Sequence, residues 1–314
     1  MPQMTTSDAR VVDPILSTVA QGYKNASMIA AALFPPVPVL TRAGKIITFG
    51  KEDFMLYASA RAPGENTKRV QAGYASGNFA LVDYSLEGQA PVELMQEAQA
   101  GPGIDLGSST VRKVGNIMDL RLEKQSADIA RTAASYAAAN KITLSGTGQW
   151  SDFSGTSDPI ANVEAGKDAV RAATGRIPNT MTMGYSVFKS LRQHPKIVDR
   201  LKYTGRDVAT VEILAALFGL DKVVVGNAIY SNDAGTVFTD VWGKDVVLAY
   251  TETGTVADMG EPSYGYTYTL SGYPQVEEPY YDRNTKSWVY PVTRAEAPVL
   301  ASAAAGYLIT NAVA

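Results

Sequence analysis

The chain of 314 residues contains no cysteine and a single histidine, His194. Without thiols there is no disulfide, zinc–thiolate or iron–sulfur site and no cysteine nucleophile. One imidazole excludes a multi-histidine metal centre within the chain. A long hydrophobic run is missing too. The longest uncharged apolar stretch, the 17 residues 298–314, is rich in Ala, Gly, Ser and Thr. It falls short of the roughly 20 strongly apolar residues that span a membrane and reads instead as a buried terminal strand. Residues 1–10 are polar, without the apolar segment of a secretory signal. The formal charge of −3 leaves no basic surplus for coating nucleic acid.

What is present is a globular composition, 46% hydrophobic and 19% charged. A compact monomer of this mass would expose roughly 12,600 Å² of the about 48,000 Å² of its unfolded chain, so a sizeable core is available to one large or two ordinary domains. The charge is uneven: residues 221–314 hold 5 Lys/Arg and 11 Asp/Glu, while residues 1–220 hold 23 and 20. The acidic C-terminal third is therefore a surface on which a basic segment can dock.

Along the chain, residues 1–45 read as an arm. Its Phe34-Pro35-Pro36-Val37-Pro38 cluster removes backbone donors and enforces extension, and its apolar flanks make it a strap over another surface. Residues 46–100 read as a long β-excursion. Strand candidates at 46–49 and 74–86 flank a polar, turn-prone segment from Ala60 to Gly73. Arg61, Lys68 and Arg69, with Glu65, cluster at its tip and suit contacts to an acidic neighbour. Residues 107–140 carry the strongest helical period, through Val111, Val114, Met118, Leu122, Ile129, Ala133 and Tyr136, with Ser108 or Ser109 as N-cap. Thirty residues would make a rod of about 45 Å, a structural spine. Helices are expected over 162–174, closed by Gly175, then 186–193, from Pro195, and 208–218. Buried strands are expected at 177–184 and 223–225. The rest reads as β, at 237–238, 246–250, 264–270 and 288–292.

Candidate chemistry is sparse. Gly184-Tyr185-Ser186-Val187-Phe188 approaches a nucleophile elbow, but Phe188 stands where glycine is needed, and His194 lies at the far end of the same helix. Ser186 is better read as a helix-start residue and His194 as a capping or surface residue. Gly101-Pro102-Gly103 with Gly107 has the wrong spacing for a dinucleotide loop and reads as a hinge. Glu277-Glu278 and the Asp152/Asp158 pair lack calcium-loop spacing. No catalytic, metal or cofactor site is expected.

The order of parts, with residues 177–188 (IPNTMTMGYSVF), 191–195 (LRQHP), 199–204 (DRLKYT), 214–220 (LAALFGL), 223–228 (VVVGNA) and 304–309 (AAGYLI), resembles the major capsid proteins of tailed double-stranded-DNA bacteriophages. Encapsulins and the herpesvirus capsid floor share that fold. The resemblance implies an α+β capsid fold with an N-terminal arm (1–45), an extended hairpin loop (46–100), a peripheral domain (101–207) that includes the spine helix (107–140), an axial domain (208–297) and a C-terminal strand (298–314). It implies a non-enzymatic protein, assembled in the host cytoplasm into hexamers and pentamers of an icosahedral head, with no membrane partner. Double-stranded DNA would be enclosed without sequence-specific contacts. Partners would be a separate scaffolding protein, a portal and in some cases a decoration protein. Arg61, Glu65, Lys68, Arg69, Phe34, Pro35 and Pro36 are the expected intersubunit contacts, because arm and hairpin would bury their apolar residues on neighbours. An encapsulin-type compartment is the nearest alternative, and a hydrolase using Ser186 the remote one.

Overall fold

The structure, a computed structural model, describes residues 28–48, 60, 66, 75–100, 105–202, 209–231, 236–252 and 263–314. A short helix α1 (Ala30–Leu33) leads into strand β1 (Pro36–Val39). Strands β2 (Ala43–Thr48) and β3 (Ala75–Ala80) pair antiparallel, from Ala43 opposite Ala80 to Thr48 opposite Ala75. The run expected as one strand over 74–86 is two, because the chain changes partners at Leu81. β4 (Val82–Pro91) leaves the hairpin, and a helix not expected from the sequence follows, α2 (Val92–Ala100).

The long helix α3 (Leu106–Arg131) has 26 residues, about 39 Å. Its N-cap is Asp105, whose carboxylate accepts from the amides of Gly107 and Ser108, rather than a serine. It ends nine residues before the expected 140. The Thr132 hydroxyl donates to Asp128 O at 2.6 Å and the Tyr136 hydroxyl to Ala130 O at 2.7 Å, so two of the last turn's orphan carbonyls are satisfied from outside the helix. Tyr136 does reach the core, but from a turn.

Strand β5 (Lys141–Thr143), helix α4 (Pro159–Thr174), strand β6 (Thr180–Gly184) and helices α5 (Tyr185–Gln193), α6 (Pro195–Leu201) and α7 (Val211–Phe218) come next. α4 closes on Gly175 in the left-handed region, as its sequence foretells. Then follow β7 (Lys222–Gly226), β8 (Ile229–Ser231), β9 (Phe238–Asp240), β10 (Val246–Ala249), β11 (Gly265–Leu270), β12 (Gln275–Val276), β13 (Tyr280–Asp282), β14 (Ser287–Leu300) and β15 (Gly306–Thr310).

Two sheets organise these elements. In the first, β14 carries β4 on one flank and β13, β12 and β11 in succession on the other, and β1 extends the sheet by pairing parallel with β11. α3 lies on one face, burying Val111, Val114 and Met118 against Ala90, Val276, Tyr290 and Val292. On the other face Phe79, at the hairpin base, stacks on Tyr268 with ring centroids 4.2 Å apart. The second sheet runs β5-β15-β10-β6-β7, and both its faces are covered. Val246 and Leu248 face α4 to α7 with Met181, Met183 and Ile309, whereas Val247, Ala249 and Leu308 face the opposite way. Each large apolar side chain so enclosed contributes about 1.5–3 kcal/mol relative to exposure.

This packing runs across the expected boundaries. β6, placed in 101–207, pairs with β7 and β10, placed in 208–297. α3, placed with β6, packs instead on β14 and β4. The span 298–314 is not one strand either: its first residues end β14, and β15 enters the second sheet between β5 and β10.

Strand β14 has 14 residues where 288–292 was expected, despite holding Pro291 and Pro298. Glu277 N donates to Pro291 O, so the missing amide of Pro291 points toward the break between β13 and β12. Pro298 has the opposite parity and faces beyond the end of β4, whose last pair is Val82 with Glu296. Neither proline interrupts a ladder bond. On β1, Thr267 N and Ser271 N donate to Pro35 O and Val39 O. Pro36 and Pro38 therefore turn their donor-less nitrogens outward, and this edge cannot recruit another strand through them.

Candidate functional site

The two residues of the hydrolase reading do not meet. Ser186 is in the first turn of α5 and donates to Gly243 O at 3.2 Å. His194 closes the same nine-residue helix, about 12 Å along its axis. Expected as a capping or surface residue, His194 does stand at the cap position between α5 and α6, but it is buried and its side chain makes no capping hydrogen bond. Its Nε2 lies 3.3 Å from Ser157 Oγ and its ring meets Phe153 edge-on. Burial, and secondarily Lys196, hold its pKa below the ordinary histidine value. Replacing Ser186 by alanine removes one long hydrogen bond and is expected to cost no more than about 1 kcal/mol. Thermal denaturation checks the stability, and an esterase panel on both proteins checks the chemistry; loss of an activity in the variant would revive the hydrolase.

The carboxylate groupings are structural. Asp152 accepts from Ser154 N and Oγ. Asp158 caps α4 through the amides of Ile160 and Ala161 and pairs with Lys196 at 2.9 Å. Burial opposes its ionisation, but Lys196 and those amides outweigh it and hold its pKa below the ordinary value. Glu277 lies 3.5 Å from Thr293 Oγ1. Among the described residues no three His, Asp or Glu side chains form a metal-binding group. Gly107 belongs to the first turn of α3, while Gly101 and Gly103 lie outside the described residues.

Arm docking differs from expectation. Leu33 and Phe34 are fully buried within their own subunit, between Ala127 and Ala130 of α3 and the back of the second sheet, with Phe34 packed on Tyr264 at 5.5 Å. Pro35 is buried as well, and only Pro36 of the expected contacts on the arm is exposed. Met28, Ile29, Leu33 and Phe34 therefore find their partners in cis, held there by the parallel pairing of β1 with β11, whereas Leu40 stays 88% exposed. Arg61, Glu65, Lys68 and Arg69 lie outside the described residues.

The sequence reading missed the group that anchors this strap. Glu123 of α3 is 1% exposed and accepts from Ile29 N at 2.9 Å, Ala30 N at 2.8 Å and Trp242 Nε1 at 2.6 Å. One carboxylate thereby joins the arm, the long helix and the chain entering the second sheet. Burial pushes its pKa up against the three donors. Periodicity hid it: Glu123 stands about 140° round the helix from Met118, on the face of Ala127 and Ala130, and so reads as a solvated charge. Two further pairs tie α3 to β14: Asp119 to Arg294 and Arg121 to Glu296, each at 2.5 Å, with the Arg121 guanidinium over the Tyr84 ring at 3.2 Å.

Exposed large apolar side chains gather at Ile229, Val237 and Phe238 on the β8–β9 hairpin and at Tyr280, Tyr281 and Trp288 on β13–β14. Grouped exposed apolar surface of this kind marks places where proteins meet. No helix of the described residues is long and apolar enough to cross a membrane.

Comparison with known proteins agrees with this picture of structural joints and contact surfaces. The model of the family described as phage major capsid protein E matches residues 135–288. The major capsid protein of Burkholderia phage BcepMu is 37% identical over 97% of this chain and 98% of its own length. The crystal structure of a phage-related protein from Bordetella bronchiseptica RB50 is 43% identical, covers 97% of this chain and 98% of its own, and superposes with a TM-score of 0.80. A chain of Microbacterium phage Oxtober96, covering 99% of this chain and 95% of its own, has a TM-score of 0.58 at 11% identity and shares the fold alone. Fold and surfaces define a structural subunit with the tailed-phage capsid architecture. The chain belongs to the phage major capsid protein family, and its place is the head shell of the virion.

Proposed function

We propose that this chain builds an icosahedral head around double-stranded DNA as hexamers and pentamers, with no catalytic role of its own. The unit of α3 and β14 takes the peripheral place and the five-stranded sheet with α4 to α7 the axial place. The hairpin beyond Thr48 and Ala75 docks on a neighbour, with Arg61, Lys68 and Arg69, and Glu65 among them, against acidic surface. The observation that carries this reading is the hairpin base: β2 and β3 are still paired at Thr48 and Ala75, their last described pair, and Phe79 seats them on the first sheet. A hairpin is only marginally stable alone, so the residues beyond this base need a surface to lie on. Many weak contacts of one kind then add up to a stable shell. A separate scaffolding protein and a portal complete the assembly, and a decoration protein is compatible with it.

Electron microscopy of the purified protein, alone and with its scaffolding protein, tests the shell. Monomers only, at high concentration and in both conditions, would count against it. Deleting residues 60–73 is expected to leave a folded subunit, with unchanged circular dichroism and melting, that forms no particles. Normal particles from that variant would overturn the hairpin's role while leaving the shell intact. Nuclease-protected DNA in native particles separates a phage head from the encapsulin alternative, which encloses protein cargo.

A further inference from the structure

The chain's one histidine occupies a site that nothing in shell building accounts for. His194 sits between α5 and α6 with 2% of its surface exposed. Nε2 faces Ser157 Oγ, while Nδ1 is buried with no hydrogen-bond partner. A neutral ring tolerates this arrangement: the Nε2 proton goes to Ser157 and Nδ1 keeps a lone pair. An imidazolium carries a second N–H, and nothing accepts it. The contacts of His194 to Phe153 and Ser157 hold the stretch from Ser151 to Ser157 against the helices. That stretch is otherwise half exposed, with Trp150 anchoring its near end through Asn162 Oδ1 and Ala312 O.

We propose that His194 is a proton-operated lock: neutral, it holds the segment 151–157 closed over α5 and α6, and protonated, it lets that segment go. The charged groups facing the ring are Lys196 of α6, which opposes a second positive charge, and Asp158 at the start of α4, which favours it. Asp158 is already engaged by Lys196 and by two amides, so it is not free to accept from the ring. Beside the lock, a groove of about 450 Å³, lined by Asp158, Ile160, Ala161, Lys196, Asp199 and Arg200, brings solvent to the Asp158–Lys196 pair and gives a displaced charge somewhere to be hydrated.

The sign follows from linkage. The closed state depresses the histidine pKa and the open state restores it toward about 6.5, so the open state binds the proton more tightly. Closure is then fully stable above about pH 6.5 and weakens as pH falls below it.

Hydrogen exchange on the full chain, at about pH 7.5 and about pH 5 with intrinsic rates corrected, tests the lock. The amides of Asp152 and Ser154, both hydrogen-bonded in the closed form, are expected to lose protection about tenfold or more at the lower pH, while β6 keeps its own. In His194→Gln, neutral at both pH values, the loss is expected to vanish. An equal loss in that variant, or none in the wild-type protein, would overturn the proposal. Should the glutamine variant fail to fold, the single histidine resonance of the wild-type protein decides. A midpoint below about 6.5, coincident with release of the segment, supports the lock; a midpoint at or above that value refutes it.

Discussion

Replacing Gly184 with alanine is expected to destabilise the subunit by about 3 kcal/mol or more. A methyl group there would lie 1.9 Å from Gly243 O and 3.0 Å from its carbonyl carbon, contacts no real side chain makes. The obstruction is backbone, and neither side can yield. Gly184 ends β6 in register with Gly226 of β7. Gly243 turns the chain at φ 53°, and Arg131 pins that turn by donating to Val241 O at 3.0 Å and pairing with Asp245 at 2.6 Å. Overpacking typically costs about 1–3 kcal/mol, and a clash of two fixed backbones belongs at or above the top of that range. For a chain of this size that means a melting temperature lower by at least about 4 °C, or insoluble protein. Melting within about 2 °C of the parent would mean that strand and turn can part. The same contact explains why glycine precedes Ser186 without invoking a nucleophile.

Replacing Glu123 with leucine is expected to cost about 3–5 kcal/mol. The variant buries three N–H donors with no acceptor, each worth about 1–3 kcal/mol when left unsatisfied. The effect has a location: hydrogen exchange should rise in residues 28–39 and in the C-terminal half of α3, since the carboxylate is the tie between them. Glu123→Gln keeps one acceptor oxygen and loses the penalty of a buried charge, so a smaller loss of about 1–2 kcal/mol is expected. Because the folded pKa of Glu123 is raised, the wild-type protein gains stability relative to the glutamine variant as pH falls through that value toward the ordinary 4.5. Denaturant midpoints at several pH values read this. Equal stability of the leucine variant and its parent would show that the arm is held by Leu33 and Phe34 alone.

These two variants also mark how far sequence patterns reach. Most of the helices, though not α2, were legible because their information is local: an apolar stripe every three or four residues, and Gly175 or Pro195 to stop or start a turn. The short strands at Thr180–Gly184 and Lys222–Gly226 were legible as buried apolar runs. β14 was legible only over 288–292, since Pro291, Arg294, Glu296 and Pro298 all argue against a long central strand. They fit only because the missing amides fall where neighbouring strands are absent and because both charges meet partners on α3, 175 residues away. The arm was legible as an extended strap, yet not which copy it straps, for that depends on whether its own subunit offers a cavity for Phe34.

Composition alone determined that this protein lacks the reagents of thiol and multi-histidine chemistry, and periodicity determined its long helix and the order of its parts. Both need no knowledge of what touches what. The tertiary structure decided the rest: which strands share a sheet, where the arm is anchored, and why a glutamate and a histidine are buried. Each depends on groups far apart in the chain being brought within hydrogen-bonding distance, and no local pattern records that distance.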